Sequence, residues 1–306
     1  MSDETERADE RFRNLEALPS RTLLEALIGG QDEALRAVRD ALPRIDAAVD
    51  AAAGRLGRPQ ARLAYCGAGT SGRLAMLDGV ELGPTFSWPA ERCVYLLAGG
   101  TAAFSQAREG AEDEESAAHT AIREAGIGRD DVVVALAASG RTPYTIAAVR
   151  SARERGALTI GFANNPGTPL LDVSEHPVLL RTGPEVLAGS TRLAAGTAQK
   201  AALNLFSTAV MVRLGKVFRG RMVDMRPSNR KLRERARRMV AEVAGCDEAD
   251  AEAALQATGG AIREAILKLE ARNGVSRGAA PAAGDAATGS AGADGGAGPS
   301  APARIR

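Results

Sequence analysis

The chain has 306 residues, enough for one large domain or two modest ones with a buried core. Its net charge of +1, its pI of about 7.7 and its aromatic content of 3% disfavour a nucleic-acid-binding surface, which needs a basic face or stacking rings. The N-terminus is charged, and no apolar run is long enough to cross a bilayer. We therefore expect a cytoplasmic protein without nucleic-acid or membrane partners.

The first part of the chain predicts a polar arm followed by helices. Residues 1–20 are polar, and we expect them to form a flexible arm. A short helix is predicted over residues 22–28, and a long helical segment over residues 31–56. Pro43 interrupts the long segment, which indicates two helices or one kinked helix. Apolar residues at helical spacing predict one buried face, formed by Leu35, Val38, Leu42, Ile45 and Val49.

Residues 61–81, ARLAYCGAGTSGRLAMLDGVE, read as a strand, a glycine-rich turn and a helix. Thr70 and Ser71 lie among the three glycines of the turn. Such a turn points backbone N–H groups and hydroxyls at one place, at the positive end of a helix dipole. An anion is the natural ligand there, and phosphate is the commonest. A tight turn without a ligand stays an alternative.

Two better-known phosphate motifs do not fit this turn. GAGTSG matches the dinucleotide pattern G-x-G-x-x-G, but that pattern also needs an acidic residue at the end of the second strand. Here the second predicted strand, over residues 93–98, ends in Gly99 and Gly100. No Gly-Lys-Ser/Thr follows, so the turn is not a P-loop either.

Strands alternate with helices through the middle of the chain. Further strands are predicted over residues 131–137, 158–163 and 177–180, and helices over residues 103–125 and 144–155. This alternation predicts a parallel sheet covered on both faces, which binds ligands at the carboxyl ends of its strands. Three polar turns should line that edge: GAGTSG, ASGRTP and NNPGT.

The C-terminal third changes in composition. Ser190 or Thr191 can cap the long helix that runs through Leu214, and an ordinary capped helix is the alternative to an anion site there. Three short helices are predicted after residue 230, the first of them basic, which we interpret as a solvated face. The last residues are almost all small or polar and predict disorder. The expected units are residues 1–20, an α/β domain over 21–227, a helical module over 228–272 and a disordered tail over 273–306.

Two sets of residues can carry chemistry. Ser71, Ser139 and Thr142 lie in turns after separate strands and can converge on one phosphate, although Ser139 can also be a simple helix cap. Glu81 and Glu112 can serve as an acid–base pair if they share a pocket. The sequence alone does not show that they meet, and Glu112, which lies in an acidic cluster, can equally be a solvated helix start.

The motif order resembles a known family. GAGTSGRL, AREGAED, ASGRTPY, NNPG, GPEVLAGSTR, AAGTAQK and RLGKVF, in this order, look like the N-acetylmuramic acid 6-phosphate etherases, which are sugar isomerase (SIS) domain proteins related to glucokinase regulatory protein. The resemblance covers roughly residues 20–272. It implies a flavodoxin-like parallel sheet sandwiched by helices, a small C-terminal three-helix module, a homodimer, and no metal or organic cofactor. It also implies a sugar-phosphate substrate whose D-lactyl ether is cleaved by elimination of lactate and addition of water.

The resemblance also assigns residues. The family motif D-A-S-E-C-P-P-T reads DGVELGPT here, which places the proton donor at Glu81, and the last glutamate of EGAED places the base at Glu112. The implied substrate and phosphate ligands are Gly69, Thr70, Ser71, Ser139, Gly140, Thr142, Ser190 and Thr191.

This chain departs from the family pattern in places. Gly79 and Val80 replace Ala-Ser in the first motif, and Leu82 and Gly83 replace Cys-Pro. The segment after GSTR lacks the lysine of G-S-T-R-M-K-A-G-T. These changes keep a variant substrate open.

Two alternatives belong to other classes of protein. A non-catalytic sugar-phosphate-binding regulatory protein would carry two SIS domains, whereas this chain has the length for one. Another SIS-family sugar-phosphate enzyme would lack the EGAED and GSTR segments.

Overall fold

The computed structural model describes residues 3–106, 108–225, 227 and 229–272, so the predicted disordered tail lies outside the described residues. Its centre is a parallel sheet of five strands in the order β2-β1-β3-β4-β5. The strands are β1 (Leu63–Gly67), β2 (Cys93–Leu97), β3 (Val132–Leu136), β4 (Leu158–Ala163) and β5 (His176–Leu179). This is the flavodoxin-like order, and it confirms the predicted fold class.

Helices cover both faces of the sheet. The helices of the α/β part are α1 (Ser20–Asp40), α2 (Leu42–Leu56), α3 (Gly69–Phe86), α4 (Glu115–Glu124), α5 (Pro143–Glu154), α6 (Pro169–Val173) and α7 (Ala194–Arg213). On one face α7 packs against α1, α2 and α3, and on the other face α4 packs against α5. Among the described helices, none combines the length and the apolar character needed to cross a bilayer.

The strand sequences divide the core into two layers. Along β1, Leu63 and Tyr65 join the core under α2, α3 and α7, whereas Ala64 and Cys66 join the core under α4 and α5. Successive strand residues point to opposite faces, so a strand covered on both sides is apolar at every position. This explains the continuous apolar run VVVAL of β3.

Three sequence expectations for the helices need correction. The short helix predicted over residues 22–28 is not separate, because α1 runs without a break from Ser20 to Asp40. The predicted helix over residues 103–125 is wrong in its first half, where short 3-10 turns at Thr101–Phe104 and Ala111–Asp113 precede α4. The predicted interruption at Pro43 is confirmed, since α1 ends before it and α2 begins with it in its first turn. In that position the missing N–H of proline costs nothing. Leu35 and Leu42 are exposed rather than buried with their neighbours.

The two ends of the described chain are attached to the α/β domain in different ways. Residues 3–18 form three 3-10 turns, and Thr5 is fully buried, so the arm is held to the domain at that point. The three predicted C-terminal helices are confirmed as α8 (Arg230–Ala244), α9 (Glu248–Ala257) and α10 (Ile262–Arg272), which enclose a small core of their own. Asp224 joins this module to the domain through ion pairs with Lys216 and Arg263. The unit boundaries stay a prediction.

Candidate active site

The glycine-rich turn connects β1 to α3 by a very close approach of backbone to backbone. A Cβ on Gly72 would lie 2.7 Å from the carbonyl carbon of Gly67 and 2.4 Å from a methyl of Leu97, so only glycine fits there. The helix therefore starts directly above the strand end, at Gly69. Ser71 is buried in its first turn and Thr70 is half-buried. The N–H groups of this turn and the helix dipole face the carboxyl edge of the sheet.

A second polar turn lies beside the first, because β3 is the neighbour of β1. Ser139 Oγ accepts a hydrogen bond from the Arg141 backbone N–H at 3.1 Å, and Thr142 occupies the N-cap of α5 without a side-chain cap bond. Gly140 has φ of +67°, and a Cβ there would lie 2.2 Å from Thr168 Oγ1. In a sheet with the strand order 2-1-3-4-5, the strand order reverses between β1 and β3: β2 is added on one side of β1, and β3 and the later strands on the other. Ligands bind at this switch point. The predicted phosphate residues lie on its two sides.

A cavity of about 230 Å³ opens next to the first turn. Its lining includes Gly69, Thr70 and Arg73 from α3 and Glu109 and Glu112 from the loop after β2. The Arg73 Nε–H donates to the backbone carbonyls of residues 103 and 104, at 3.0 and 3.1 Å, which ties that loop to α3. The structure therefore brings Glu112 together with the glycine-rich turn.

The other predicted carboxylate does not line this cavity. Glu81 is exposed and lies eight residues after Arg73, the last residue of α3 in the cavity lining, which is about 12 Å along the helix axis. A glutamate side chain does not span that distance. Within one chain the structure therefore separates Glu81 from Glu112.

Asp78, one turn before Glu81, is buried and was not singled out from the sequence. Its Oδ2 accepts a hydrogen bond of 2.9 Å from the Tyr65 hydroxyl. Burial raises the pKa of the Asp78 carboxyl, although hydrogen bonds from Tyr65 and Ser207 act in the opposite direction. The contact ties α3 to β1 one helical turn before Glu81.

The start of α7 contradicts the predicted cap. Neither Ser190 nor Thr191 caps the helix, which begins after Leu193. The carboxylate of Glu185 does so instead, because it accepts from the N–H groups of Ala194 and Ala195, both at 2.9 Å. Glu185 is 1% exposed, and burial raises its pKa. Ser190 and Thr191 are left half-buried in the turn that precedes the helix.

Amide side chains add a second set of contacts that the sequence did not reveal. Asn164 Nδ2 donates to the Leu180 carbonyl, and Gln199 Nε2 donates to Asn164 Oδ1, so a buried network joins β4, β5 and α7. The sequence feature that could have indicated this network is the pair of adjacent asparagines in NNPGT. Across the described parts of the chain, no three His, Cys, Asp or Glu side chains converge so that they could hold a metal ion.

Known proteins are similar to this chain in sequence and in fold. Residues 114–209 match the SIS domain family, and residues 45–153 match the glucokinase regulatory protein N-terminal SIS domain. The chain is 53% identical to N-acetylmuramic acid 6-phosphate etherase from Deinococcus radiodurans over 266 residues, 87% of each chain. It is 48% identical to the etherase from Rubrobacter xylanophilus over 265 residues, 87% of this chain and 88% of that one. A solved phosphoheptose isomerase from Francisella tularensis aligns with a TM-score of 0.47 at 17% identity, over 65% of this chain and 100% of that chain.

The sheet order, the polar turns at its switch point and the family match define a SIS-domain protein. The relatives that span 87% of the chain narrow this class. The chain belongs to the N-acetylmuramic acid 6-phosphate etherase family.

Proposed function

We propose that this protein is a carbon–oxygen lyase that cleaves the D-lactyl ether of N-acetylmuramic acid 6-phosphate. The products are N-acetylglucosamine 6-phosphate and D-lactate. The observation that carries the proposal is the 53% identity to an etherase over 87% of each chain. Both Glu81 and Glu112 are present in this chain despite the altered residues around Glu81.

The reaction is an elimination followed by an addition of water. In the open-chain sugar the aldehyde acidifies the proton on C2, and Glu112 removes it. The electron pair forms the C2–C3 double bond, and the C3–O bond to lactate breaks. Glu81 gives a proton to the departing oxygen, because an alkoxide is a poor leaving group. Water then adds at C3 and a proton returns to C2. Each proton transfer by a positioned carboxyl is typically worth about 10²–10⁴-fold in rate.

Hydroxyl and amide groups would hold the phosphate. Ser71 on α3 and Ser139 and Thr142 before α5 lie on the two sides of the switch point, where the N-terminal ends of both helices favour an anion. Gly69, Thr70 and Gly140 supply backbone to the same turns. Ser190 and Thr191 would contact the sugar. The cavity beside Glu112 supports a base close to the phosphate turn.

We further propose a homodimer in which each site combines Glu112 of one chain with Glu81 of its partner. This arrangement is supported by the distance along α3 between Glu81 and the cavity that Glu112 lines. Apolar side chains that remain exposed around α7 support it as well, since such a surface favours association. They are Leu24, Ile28 and Leu35 on α1, Leu77 and Val80 on α3, and Leu205 and Val212 on α7.

Mixing inactive variants tests the shared site. Glu81→Gln and Glu112→Gln chains are unfolded together, refolded and assayed. If each site takes one carboxylate from each chain, half of the dimers contain one intact site, and about a quarter of wild-type activity returns. If both carboxylates act within one chain, no activity returns, and the dimer proposal is wrong.

The activity itself is tested by release of D-lactate from N-acetylmuramic acid 6-phosphate, detected with D-lactate dehydrogenase. Glu112→Gln should lower kcat by about 10²-fold or more. The matched control is Glu109→Gln, since Glu109 lines the same cavity and has no assigned role. Equal losses in both variants would remove the case for Glu112 as the base. No release by the wild type would refute the proposed function.

We propose a cytoplasmic location for this activity. Cys66, Cys93 and Cys246 are all unpaired thiols, as is usual in a reducing compartment, and this supports the location.

A further inference from the structure

The N-terminal arm crosses the carboxyl edge of the sheet on the side away from the Glu112 cavity. Its residues contact the loops after three successive strands. Asp3 pairs with Arg141 after β3 at 2.9 Å, Thr5 bonds to Asn165 after β4, and Glu4 pairs with Arg181 after β5 at 2.6 Å. The arm thus runs along the half of the edge that contains the turns with Ser139 and with Ser190.

The contacts of the arm differ in strength. The two ion pairs involve arginine side chains that are 47% and 63% exposed, and exposed pairs of this kind contribute little. Thr5, in contrast, is 0% exposed. Its N–H donates to Asn165 Oδ1 at 3.2 Å, and its Oγ1 accepts from Asn165 Nδ2 at 2.9 Å. Thr5 is therefore the residue that holds the arm in place.

Thr5 also reaches the turn before α7. Its carbonyl accepts from the Gly189 N–H at 3.1 Å. Gly189 in turn accepts from the Thr191 N–H at 3.0 Å, and Thr191 accepts from the Gly196 N–H at 2.8 Å in the first turn of α7. Gly189 has φ of +74°, and Glu6 Oε2 lies 3.0 Å from where a Cβ would be. An unbroken series of backbone bonds thus links the arm to the turn that contains Ser190 and Thr191.

The contacts of Thr5 with Asn165 and Gly189, here called the Thr5 clasp, are also connected to the turn that contains Ser139. Asn165 Nδ2 also donates to the Ala138 carbonyl at 3.1 Å, directly before Ser139. One buried asparagine is therefore shared between the arm and the turn after β3. If the arm is released, both the Ser139 turn and the 187–191 turn lose a fixed partner.

We propose that Thr5 is a positioning residue for the sugar-phosphate site: through Asn165 and Gly189 it locks the turn that contains Ser190 and Thr191 into the conformation that contacts the sugar. The inference rests on the proposed function, because that function supplies the sugar as the ligand of these two residues. A loop that is only partly in the binding conformation lowers the apparent affinity in proportion to that fraction. The clasp therefore acts on substrate binding.

The test compares Thr5→Val with Thr5→Ser, which keeps the hydroxyl. D-Lactate release from N-acetylmuramic acid 6-phosphate is measured over a range of substrate concentrations. In Thr5→Val we expect KM to rise about 10-fold, the equivalent of one buried hydrogen bond, with kcat within about 2-fold of wild type. Thr5→Ser should restore most of the affinity. Arg13→Ala, an exposed change further along the arm, is the control and should leave both constants unchanged.

A purely structural role gives a different result. Partial unfolding would reduce the number of active sites, so kcat would fall while KM stayed constant, and that outcome would overturn the proposal. An unchanged KM in Thr5→Val would do the same.

Hydrogen exchange gives a second readout that does not depend on activity. Deuterium uptake by residues 187–191 and 138–142 should rise in Thr5→Val and return towards wild type in Thr5→Ser. If the wild type releases no lactate, the proposed function fails, and this exchange pattern alone tests the clasp. Unchanged uptake, or a rise spread over the whole domain, would contradict it.

Discussion

The buried carboxylate of Glu185 should be one of the main local determinants of stability in this protein. It accepts hydrogen bonds from the first two N–H groups of α7, those of Ala194 and Ala195, and Glu185 is 1% exposed. Helix α7 packs against three other helices. In Glu185→Ala both N–H groups lose their acceptor in a place that water does not reach readily.

The expected loss follows from these contacts. An unsatisfied buried donor costs about 1–3 kcal/mol, and loss of a helix cap costs about 0.5–2 kcal/mol. Burial of the carboxylate itself is unfavourable, as its raised pKa indicates, and removing it returns part of the cost. The net loss should be about 3 kcal/mol, which for a domain of this size lowers Tm by about 6–12 °C. Glu185→Gln keeps one acceptor oxygen and should lose about half as much.

Urea unfolding followed by circular dichroism measures the free energy of unfolding of each variant, with the slope checked for constancy. Glu154→Ala, an exposed glutamate near the end of α5, is the matched control and should change it by less than about 0.5 kcal/mol. If Glu185→Ala lost no more than this control, the carboxylate would not be stabilising the start of α7, and the reasoning would be wrong.

Three further predictions concern the region around α3. Gly79→Ala should destabilise the protein by about 1–3 kcal/mol in the same assay, because the new methyl would lie 2.7 Å from the Tyr95 ring and 2.8 Å from the Tyr65 ring. An unchanged midpoint of urea unfolding would contradict this. The raised pKa of Asp78 means that the folded state binds a proton more readily than the unfolded chain, so stability falls as pH rises from 3.8 to the folded pKa. Asp78→Asn should flatten Tm against pH in that window, and an identical profile would refute the assignment. Burial raises the pKa of the Cys66 thiol to about 12, so a thiol reagent followed by peptide mass spectrometry should label it only after unfolding.

The sheet could be predicted closely from the sequence because its strands are buried on both faces. The strand β4 was predicted at residues 158–163, the range the structure gives, and its limits coincide with the change from apolar to polar residues. The three C-terminal helices follow from helical spacing and from caps such as Asn229 and Asp247, whose side chains bond within the next turn. These signals are local, so a sequence contains them in full.

The misjudged features depend on contacts between distant residues. The cap of α7 comes from Glu185 and not from the nearer Ser190, because a loop brings the carboxylate back to the helix start. The arm is polar in sequence, and its attachment depends on contacts with residues far along the chain, such as the bonds between Thr5 and Asn165. The helix expected over residues 103–125 is broken in its first half, where Gly110 has φ of +73°.

The candidate site was predictable where local sequence signals mark it. The polar turns after β1 and β3 follow directly from strand ends, and the sheet order brings them together. The separation between Glu81 and the Glu112 cavity is set by the helical turns of α3 that lie between Arg73 and Glu81, and it appears only once the loop with Glu112 is placed beside the start of the helix. No local pattern gives the position of a second chain, which the proposed dimer needs.

The altered motif around Glu81 has a structural explanation at one position. Gly79 faces the rings of Tyr65 and Tyr95, which occupy the space that a larger residue would fill. We infer that the glycine compensates for these two tyrosines and leaves the path of α3 intact. Glu81 is then presented from a regular helix, despite the change in its neighbours.

The most direct test of the proposed reaction uses water labelled with ¹⁸O. The elimination–addition route breaks the bond between C3 and the ether oxygen, so the label should appear in the C3 hydroxyl of N-acetylglucosamine 6-phosphate and not in D-lactate. Mass spectrometry of both products distinguishes the two positions. Label in lactate would mean that the other C–O bond of the ether breaks, and it would contradict the mechanism assigned to Glu81 and Glu112.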